Sequence, residues 1–292
     1  MIGEEGEEKA VQIGFFTAAL TDRPIEEVAH FAADAGFAAL EIEVGKHIGH
    51  LSRAPGAIAA ARREGVEVCA LACGPSLVNA DRAAQAQTRA TVEGAVEAAL
   101  EAGVGLVVTF PGRDESLSED DNYRALAAYY APLAERAAAG NVKVIMENWP
   151  GPRIDYLATT PAGWARLFEL VPAPNLGLNF DPSHLIWQGI DPEAALRAVA
   201  DRVFLAHAKD TEIFADRLQQ VGYYGRGWWT YRLPGHGRLD WRRWIGALRA
   251  IGFDGVVSVE HEDHDWGWTD GPAERRQEGL REALRVLTEA MK

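Results

Sequence analysis

A chain of 292 residues, 48% of them apolar, can bury a substantial core as one large α/β domain or two ordinary ones. Its formal net charge of −14 gives a surface that repels phosphate backbones and anionic lipid, which sets nucleic acid and membranes aside as partners. No apolar run approaches the roughly 18 residues a spanning helix needs, and two cysteines, Cys69 and Cys73, make no disulfide framework; they are expected as reduced core thiols of a cytoplasmic protein.

Residues 1–10, MIGEEGEEKA, are acidic and lack the basic and apolar segments of a signal peptide, and are expected as a short disordered lead-in. From residue 11 to 292 one pattern repeats. Short β-rich runs (VQIGFF at 11, FAALEIE at 37, VEVCALA at 66, VGLVVTF at 104, VKVIME at 142, NLGLNF at 175, RVFLAH at 202, GVVSVE at 255) alternate with Ala-rich stretches such as 82–102 and 119–140. In the latter, apolar positions recur at three and four, the helical period. Several helices are announced by a cap or an early proline, at Asp22–Pro24, Thr160-Pro161 and Asp191-Pro192; Gly36, Gly65, Gly103, Gly140 and Gly252 close others. Eight such βα units predict a single closed (β/α)8 TIM barrel over 11–292. The rival, an open doubly wound sheet, lacks a Gly-rich phosphate loop after any strand.

In such a barrel, chemistry sits where the strands end at the C-terminal mouth. The fifth run ends in Glu147, the sixth in Asp181, the seventh in His207 and the eighth in Glu260. Each alone could be a helix cap or a rim ion pair. Three carboxylates converging on one mouth repel one another unless a cation lies between them, so the four are expected to bind one divalent metal. An oxygen-rich set without thiolate favours Mn2+, Mg2+ or Co2+ over structural Zn2+, with Zn2+ still possible. The metal would polarise a sugar carbonyl and acidify the adjacent C–H, and Glu147 and Glu260 would carry the proton between faces.

The segments MEN after the fifth strand, FDPSH after the sixth, HAKD after the seventh, PGHGRLDW, and VEHED at the eighth resemble the xylose isomerase-like TIM-barrel superfamily, near the ketose 3-epimerases and inosose dehydratases. The resemblance runs over nearly the whole chain from about residue 11. It implies a single metal, usually Mn2+, on Glu147, Asp181, His207 and Glu260, with the two glutamates catalytic, His184 in contact with substrate and Arg232 near a substrate-binding position.

Further candidates come from the residues themselves. Lys209 is expected either to hold a substrate oxygen and an enediolate, or to pair with its neighbour Asp210. One of Glu41 and Glu43 faces the barrel. His47 and Asn79 lie in loops at the mouth, Trp149 is placed to wall the pocket, and the aromatic loop 211–237, with Trp228 and Trp229, is expected to shape the substrate site or to form an oligomer contact. The acidic and histidine-rich run His261 to Asp265 reads as mostly solvated loop. The expected function is a metal-dependent isomerase or epimerase of a small carbohydrate. The same residues also suit a lyase or dehydratase on an inosose or 3-keto-glycoside. A DNA repair nuclease resembling endonuclease IV is the remote reading: the fourth strand ends TFPG with no histidine, and Trp229 and Tyr231 stand where that family has Asp and His.

Overall fold

The computed structural model describes residues 11–74 and 76–292, so the expected lead-in lies outside the described residues. Twelve strands occur in chain order: β1 Gln12–Phe16, β2 Ala39–Glu43, β3 Glu67–Ala72, β4 Val78–Asn79, β5 Leu106–Thr109, β6 Gly112–Arg113, β7 Lys143–Glu147, β8 Leu176–Phe180, β9 Val203–Ala208, β10 Asp210–Ile213, β11 Trp229–Arg232 and β12 Val256–Val259. The helices are α1 Ile25–Ala35, α2 Ala54–Arg63, α3 Arg82–Ala102, α4 Glu119–Ala138, α5 Pro161–Leu170, α6 Pro182–Trp187, α7 Pro192–Ala198, α8 Ala215–Val221, α9 Trp241–Ala250 and α10 Ala273–Met291.

The eight β-rich runs close into one parallel barrel in the order β1-β12-β9-β8-β7-β5-β3-β2. The four short strands form two ribbons at its mouth, β4 with β6 and the antiparallel hairpin β10–β11. Strand alternation sorts the core into two layers. Phe16, Ala70, Val108, Ile145 and Leu205 fill the barrel interior. Met146, Leu178, Phe180, Ala206 and Val257 point outward to the helices. Phe180 shows what that outer layer holds: its ring lies 5.6 Å from both Trp164 of α5 and Trp244 of α9. Truncating such a side chain to Ala costs about 3–5 kcal/mol.

Caps follow the expected chemistry with two exceptions. Thr160 and Asp191 cap α5 and α7 ahead of Pro161 and Pro192. Gly36, Gly65, Gly103 and Gly252 take positive φ, but after α4 the left-handed residue is Asn141 (φ 59°), not Gly140. Asp22 does not cap α1; it pairs with Arg276 of α10, at 2.5 Å, and helps hold the first and last helices together. The register slips at two places, between Leu40 and Glu41 and between Leu178 and Asn179. Irregularities of this kind re-aim the next side chain, and both Glu41 and Asn179 turn onto His207.

Candidate active site and metal centre

Alternation carries Glu147, Asn179, Asp181, His207, Ser258 and Glu260 to the inner face: Glu147, His207, Ser258 and Glu260 lie an even number of residues from the interior Ile145, Leu205 and Val256, and Asn179 and Asp181 directly follow the outward-facing Leu178 and Phe180. Glu147 ends β7, Asp181 directly follows β8, His207 is the penultimate residue of β9, and Glu260 directly follows β12. One ligand atom from each of Glu147, Asp181, His207 and Glu260 can be chosen so that all lie within 4.8 Å of one another, and all four residues are buried. The four expected ligands are therefore brought to one point.

Asp181 divides its two oxygens. Oδ1 accepts the Ser183 backbone N–H at 2.7 Å and so starts α6, while Oδ2 faces the cluster. The cap reading of this residue holds, and the second oxygen stays free to face the other three candidate ligands. Asn148 fixes it further by exchanging hydrogen bonds with the Asp181 backbone, donating at 2.9 Å and accepting at 2.8 Å. His207 is held from behind. Its Nε2 lies 3.0 Å from Glu41 Oε2, which also accepts from Ser258 Oγ at 2.8 Å, and 2.8 Å from the Asn179 side-chain amide. That leaves His207 Nδ1 aimed at Glu260 Oε2, 3.0 Å away. A carboxylate behind an imidazole is the usual way a metal-binding histidine is oriented. Glu41 is thus the carboxylate that faces the barrel, while Glu43 caps the following turn through Gly45 and Lys46.

Two buried atoms in the cluster, Asp181 Oδ2 and His207 Nδ1, lack a hydrogen bond of good geometry, although Lys209 Nζ and Glu260 Oε2 respectively lie 3.0 Å from them. Unpartnered buried atoms are costly, and here they are the two that point at the shared centre. With Glu147 and Glu260 they form a set of hard oxygens plus one nitrogen that fits a divalent ion.

Lys209 does not pair with Asp210. Strand alternation turns the two side chains apart. Lys209 goes inward, with Nζ 2.5 Å from Glu260, 2.9 Å from Glu262 and 3.0 Å from Asp181. Asp210 goes outward and accepts from Thr211 N, Leu239 N and the Trp241 indole, closing the excursion that begins there. Gly237 permits this closure, since a Cβ at that position would collide with the Asp210 carboxylate.

Burial and charge pull against each other throughout. Burial disfavours an ionised Glu147, yet the His207 charge and hydrogen bonds from His184 and His207 outweigh it and lower its pKa to about 2. Burial would likewise raise Asp181, but Lys209 and His184 hold it well below the ordinary carboxylate value. Lys209 and His207 are pushed down by burial and held well above their usual values by the surrounding carboxylates, Asp181 first for the lysine and Glu260 first for the histidine. Glu262 is raised, since burial outweighs the pull of Lys209. The cavity is an ion cluster whose own cations balance part of its negative charge.

His184 lies in the same cluster, fully buried, with Nε2 3.1 Å from Glu147 Oε1 and Nδ1 2.8 Å from the Tyr231 hydroxyl. The other expected substrate contacts are spread more widely. His47 is buried and uses Nε2 on the Thr17 carbonyl, 3.0 Å away. Asn79 accepts from Asp81 N at the entry to α3. Trp149 packs edge-on between Phe110 and Tyr156. The Arg232 guanidinium is engaged by three carboxylates, Glu212, Asp263 and Asp265, at 2.7–2.9 Å. Trp229 stacks on Trp187 with centroids 4.8 Å apart and planes 4° apart. This pair, with Ile154, Tyr223 and Trp228, lines a cleft of about 400 Å³ beside the mouth.

The run His261–Asp265 is solvated only at His264 and Asp265. His261 and Asp263 are 1% exposed, and Glu262 reaches Lys209. Asp263 accepts from Leu233 N and Arg232, tying the aromatic segment down. Composition suggested exposure because charged residues are seldom buried; Glu262 and Asp263 turn inward because each finds a partner in the segment 209–233, while His261 Nδ1 accepts from Asp263 N. Glu262 and Tyr231 are site residues the sequence reading passed over, and only the repeated acid after Glu260 hinted at the first.

A closed ring of eight parallel strands wrapped by helices, with three carboxylates and an imidazole gathered at the strand ends, defines a (β/α)8 TIM barrel with a buried acidic centre at its mouth. The chain is a member of the xylose isomerase-like TIM barrel family, whose model matches residues 29–290. The Bacillus subtilis protein YfiH is 31% identical over 146 residues, 46% of this chain and 45% of that one. An inosose dehydratase of Lacticaseibacillus casei is 28% identical over 149 residues, 49% of this chain and 48% of that one. The match thus spans about half the length of these two relatives. D-psicose 3-epimerase of Clostridium cellulolyticum H10 shares the fold, with a TM-score of 0.74 at 17% identity over 97% of this chain and 100% of that one. No helix among the described residues is long and apolar enough to cross a membrane.

Proposed function

We propose that this chain is a divalent-metal-dependent isomerase or epimerase of a sugar or keto-sugar, acting by proton abstraction beside a carbonyl. The observation that carries the reading is the convergence of Glu147, Asp181, His207 and Glu260 on one buried point with two unpartnered ligand atoms. A bound ion, Mn2+ by preference for this donor set, supplies Lewis-acid polarisation of the carbonyl. The remaining steps belong to the protein. One of Glu147 and Glu260 takes the proton from the carbon next to the carbonyl, and the electron pair shifts toward the carbonyl oxygen. Lys209 offers an N–H to the oxyanion that develops there. The other glutamate returns a proton, to the opposite face for epimerisation or to the neighbouring carbon for isomerisation. The two enter from strands separated by β8 and β9 in the closed ring, which suits approach from two sides. His47, Asn79, Trp149 and Trp229 are assigned to the substrate's outer hydroxyls and faces. Arg232 serves mainly to tether the hairpin.

A second reading, elimination of water or another leaving group from an inosose or 3-keto-glycoside, is supported by two buried proton carriers, His184 and Lys209, beside the same glutamates, and by the partial likeness to an inosose dehydratase. The test is a panel of ketoses, inososes and 3-keto-glycosides incubated in D2O with Mn2+-loaded enzyme. Metal-dependent deuterium incorporation at one carbon, with or without loss of a leaving group, separates the two readings. Absence of exchange across the panel would sink both.

A further inference from the structure

His184 is the one imidazole in the cluster that is not a proposed ligand, and its environment is directional. The Trp187 indole N–H, which can only donate, lies 3.3 Å from the Tyr231 hydroxyl oxygen. Tyr231 Oη therefore accepts from Trp187, and its own proton must go elsewhere. Among the described residues the other hydrogen-bond partner of that hydroxyl is His184 Nδ1, at 2.8 Å. A hydroxyl that donates to Nδ1 requires Nδ1 to be the bare nitrogen, which puts the ring proton on Nε2.

The opposite side of the ring agrees. His184 Nε2 faces two acceptors, Glu147 Oε1 at 3.1 Å and Asp181 Oδ2 at 3.2 Å. Lys209 Nζ is also near, at 3.4 Å. Its two short hydrogen bonds go to Glu260 and Glu262, and Asp181 Oδ2 at 3.0 Å also lies closer than the ring nitrogen, so the imidazole is the most distant of the acceptors competing for its protons. The two carboxylates facing Nε2 favour the same tautomer as the tyrosine does.

We infer that Tyr231, held by Trp187, is a positioning residue that fixes His184 as the Nε2–H tautomer, so that His184 meets Glu147 and the substrate as a hydrogen-bond donor and not as a base. The hairpin delivers the hydroxyl: Tyr231 lies opposite Thr211 in the β10–β11 pairing, and Thr211 Oγ1 donates to the Ser183 carbonyl of α6 at 2.9 Å. The segment whose aromatic density drew attention thus touches the cluster through its tyrosine, with Trp187 and Trp229 stacked one ring further out.

The experiment is ring-nitrogen NMR of His184 in metal-free and Mg2+-loaded protein, together with steady-state kinetics. Tyr231→Phe keeps the ring that sits 4.5 Å from Lys209 Nζ and removes only the hydroxyl. Wild-type protein should show a single Nε2–H tautomer. Tyr231→Phe should give mixed tautomers and a kcat lowered by about 10–100-fold, with KM moved far less and metal content unchanged. Trp187→Phe, which removes the N–H that biases the Tyr231 hydroxyl toward donating to Nδ1, should also mix the tautomers and guards against misfolding of the first variant. An Nδ1–H or doubly protonated ring in the wild type, or an unaltered tautomer in Tyr231→Phe, overturns the inference. The kinetic arm rests on the function proposed above and the NMR arm does not. A tautomer shift without turnover of any keto-sugar by the wild type would defeat that function and leave the positioning role standing.

Discussion

The ring of strand ends and the hairpin that covers it are built on different rules. At the strand ends, Glu147, Asp181, His207 and Glu260 are placed by period-two alternation within strands that already need their neighbours for the core. In the hairpin, Tyr231, Arg232 and Trp229 are placed by tertiary hydrogen bonds that Asp210 and Asp263 accept from Trp241, Leu233 and Arg232, and by stacking on α6. The first kind of placement is periodic and local; the second is contingent on partners far away in the chain. Chemistry that must not drift is kept on the rigid part, and adaptable contacts are kept on the part that can be rebuilt without disturbing the barrel.

This contrast can be broken at its strongest point first. Asp181→Asn keeps the helix cap, since Asn caps as well as Asp, and removes the charge at Oδ2. Bound metal by elemental analysis should fall from one per chain toward none and activity should vanish, with the circular dichroism of the barrel intact. Full metal content would show that the cluster is not the ion site. Glu147→Gln comes next. It should retain metal but lose on the order of 10²–10⁴-fold in kcat, the usual scale for a positioned acid or base; a wild-type rate would leave Glu147 a ligand only. Glu41→Gln tests the support behind His207, and titration with Mn2+ should show affinity weakened about 10–100-fold. On the hairpin side, Asp263→Ala leaves Leu233 N unpaired and Arg232 with two carboxylates in place of three. Thermal unfolding should report a loss of about 1–3 kcal/mol, with metal affinity unchanged; a loss of metal instead would make hairpin and ring one unit. The smallest effect is expected for Trp229→Ala, a rise in KM of a few fold with metal retained, and unchanged kinetics would assign that face to an oligomer contact.

The same contrast explains what was legible in advance. All eight barrel strands were readable from their apolar runs, and the four residues that gather at the mouth were readable because the fifth to eighth runs each lead into a polar residue of inward parity. Helix ends were readable where the cap is local, as at Thr160 and Asp191. They were misread where a side chain finds a distant partner: Asp22 joins Arg276, and Lys209 passes over adjacent Asp210 for carboxylates on two other strands. His261 and Asp263 looked solvated for the same reason, since nothing in their own segment announces the Arg232 and Leu233 groups that Asp263 meets. Tyr231 carried no signal as a single residue among neighbouring aromatics. Its role depends on which ring nitrogen it faces, and that is a property of packing.

One consequence of the divided oxygens of Asp181 concerns how a barrel of this kind could retire from chemistry. The helix start rests on one oxygen of this side chain and the proposed ion site on the other, so most substitutions there would harm both together. Asparagine keeps both the cap and the shape of the side chain while discarding the charge at the second oxygen. A relative in which the segment Asp181–His184 reads Asn-Pro-Ser-His is therefore expected to keep its shape and its solubility while having given up catalysis, and that one letter would sort binders from enzymes before any assay is run.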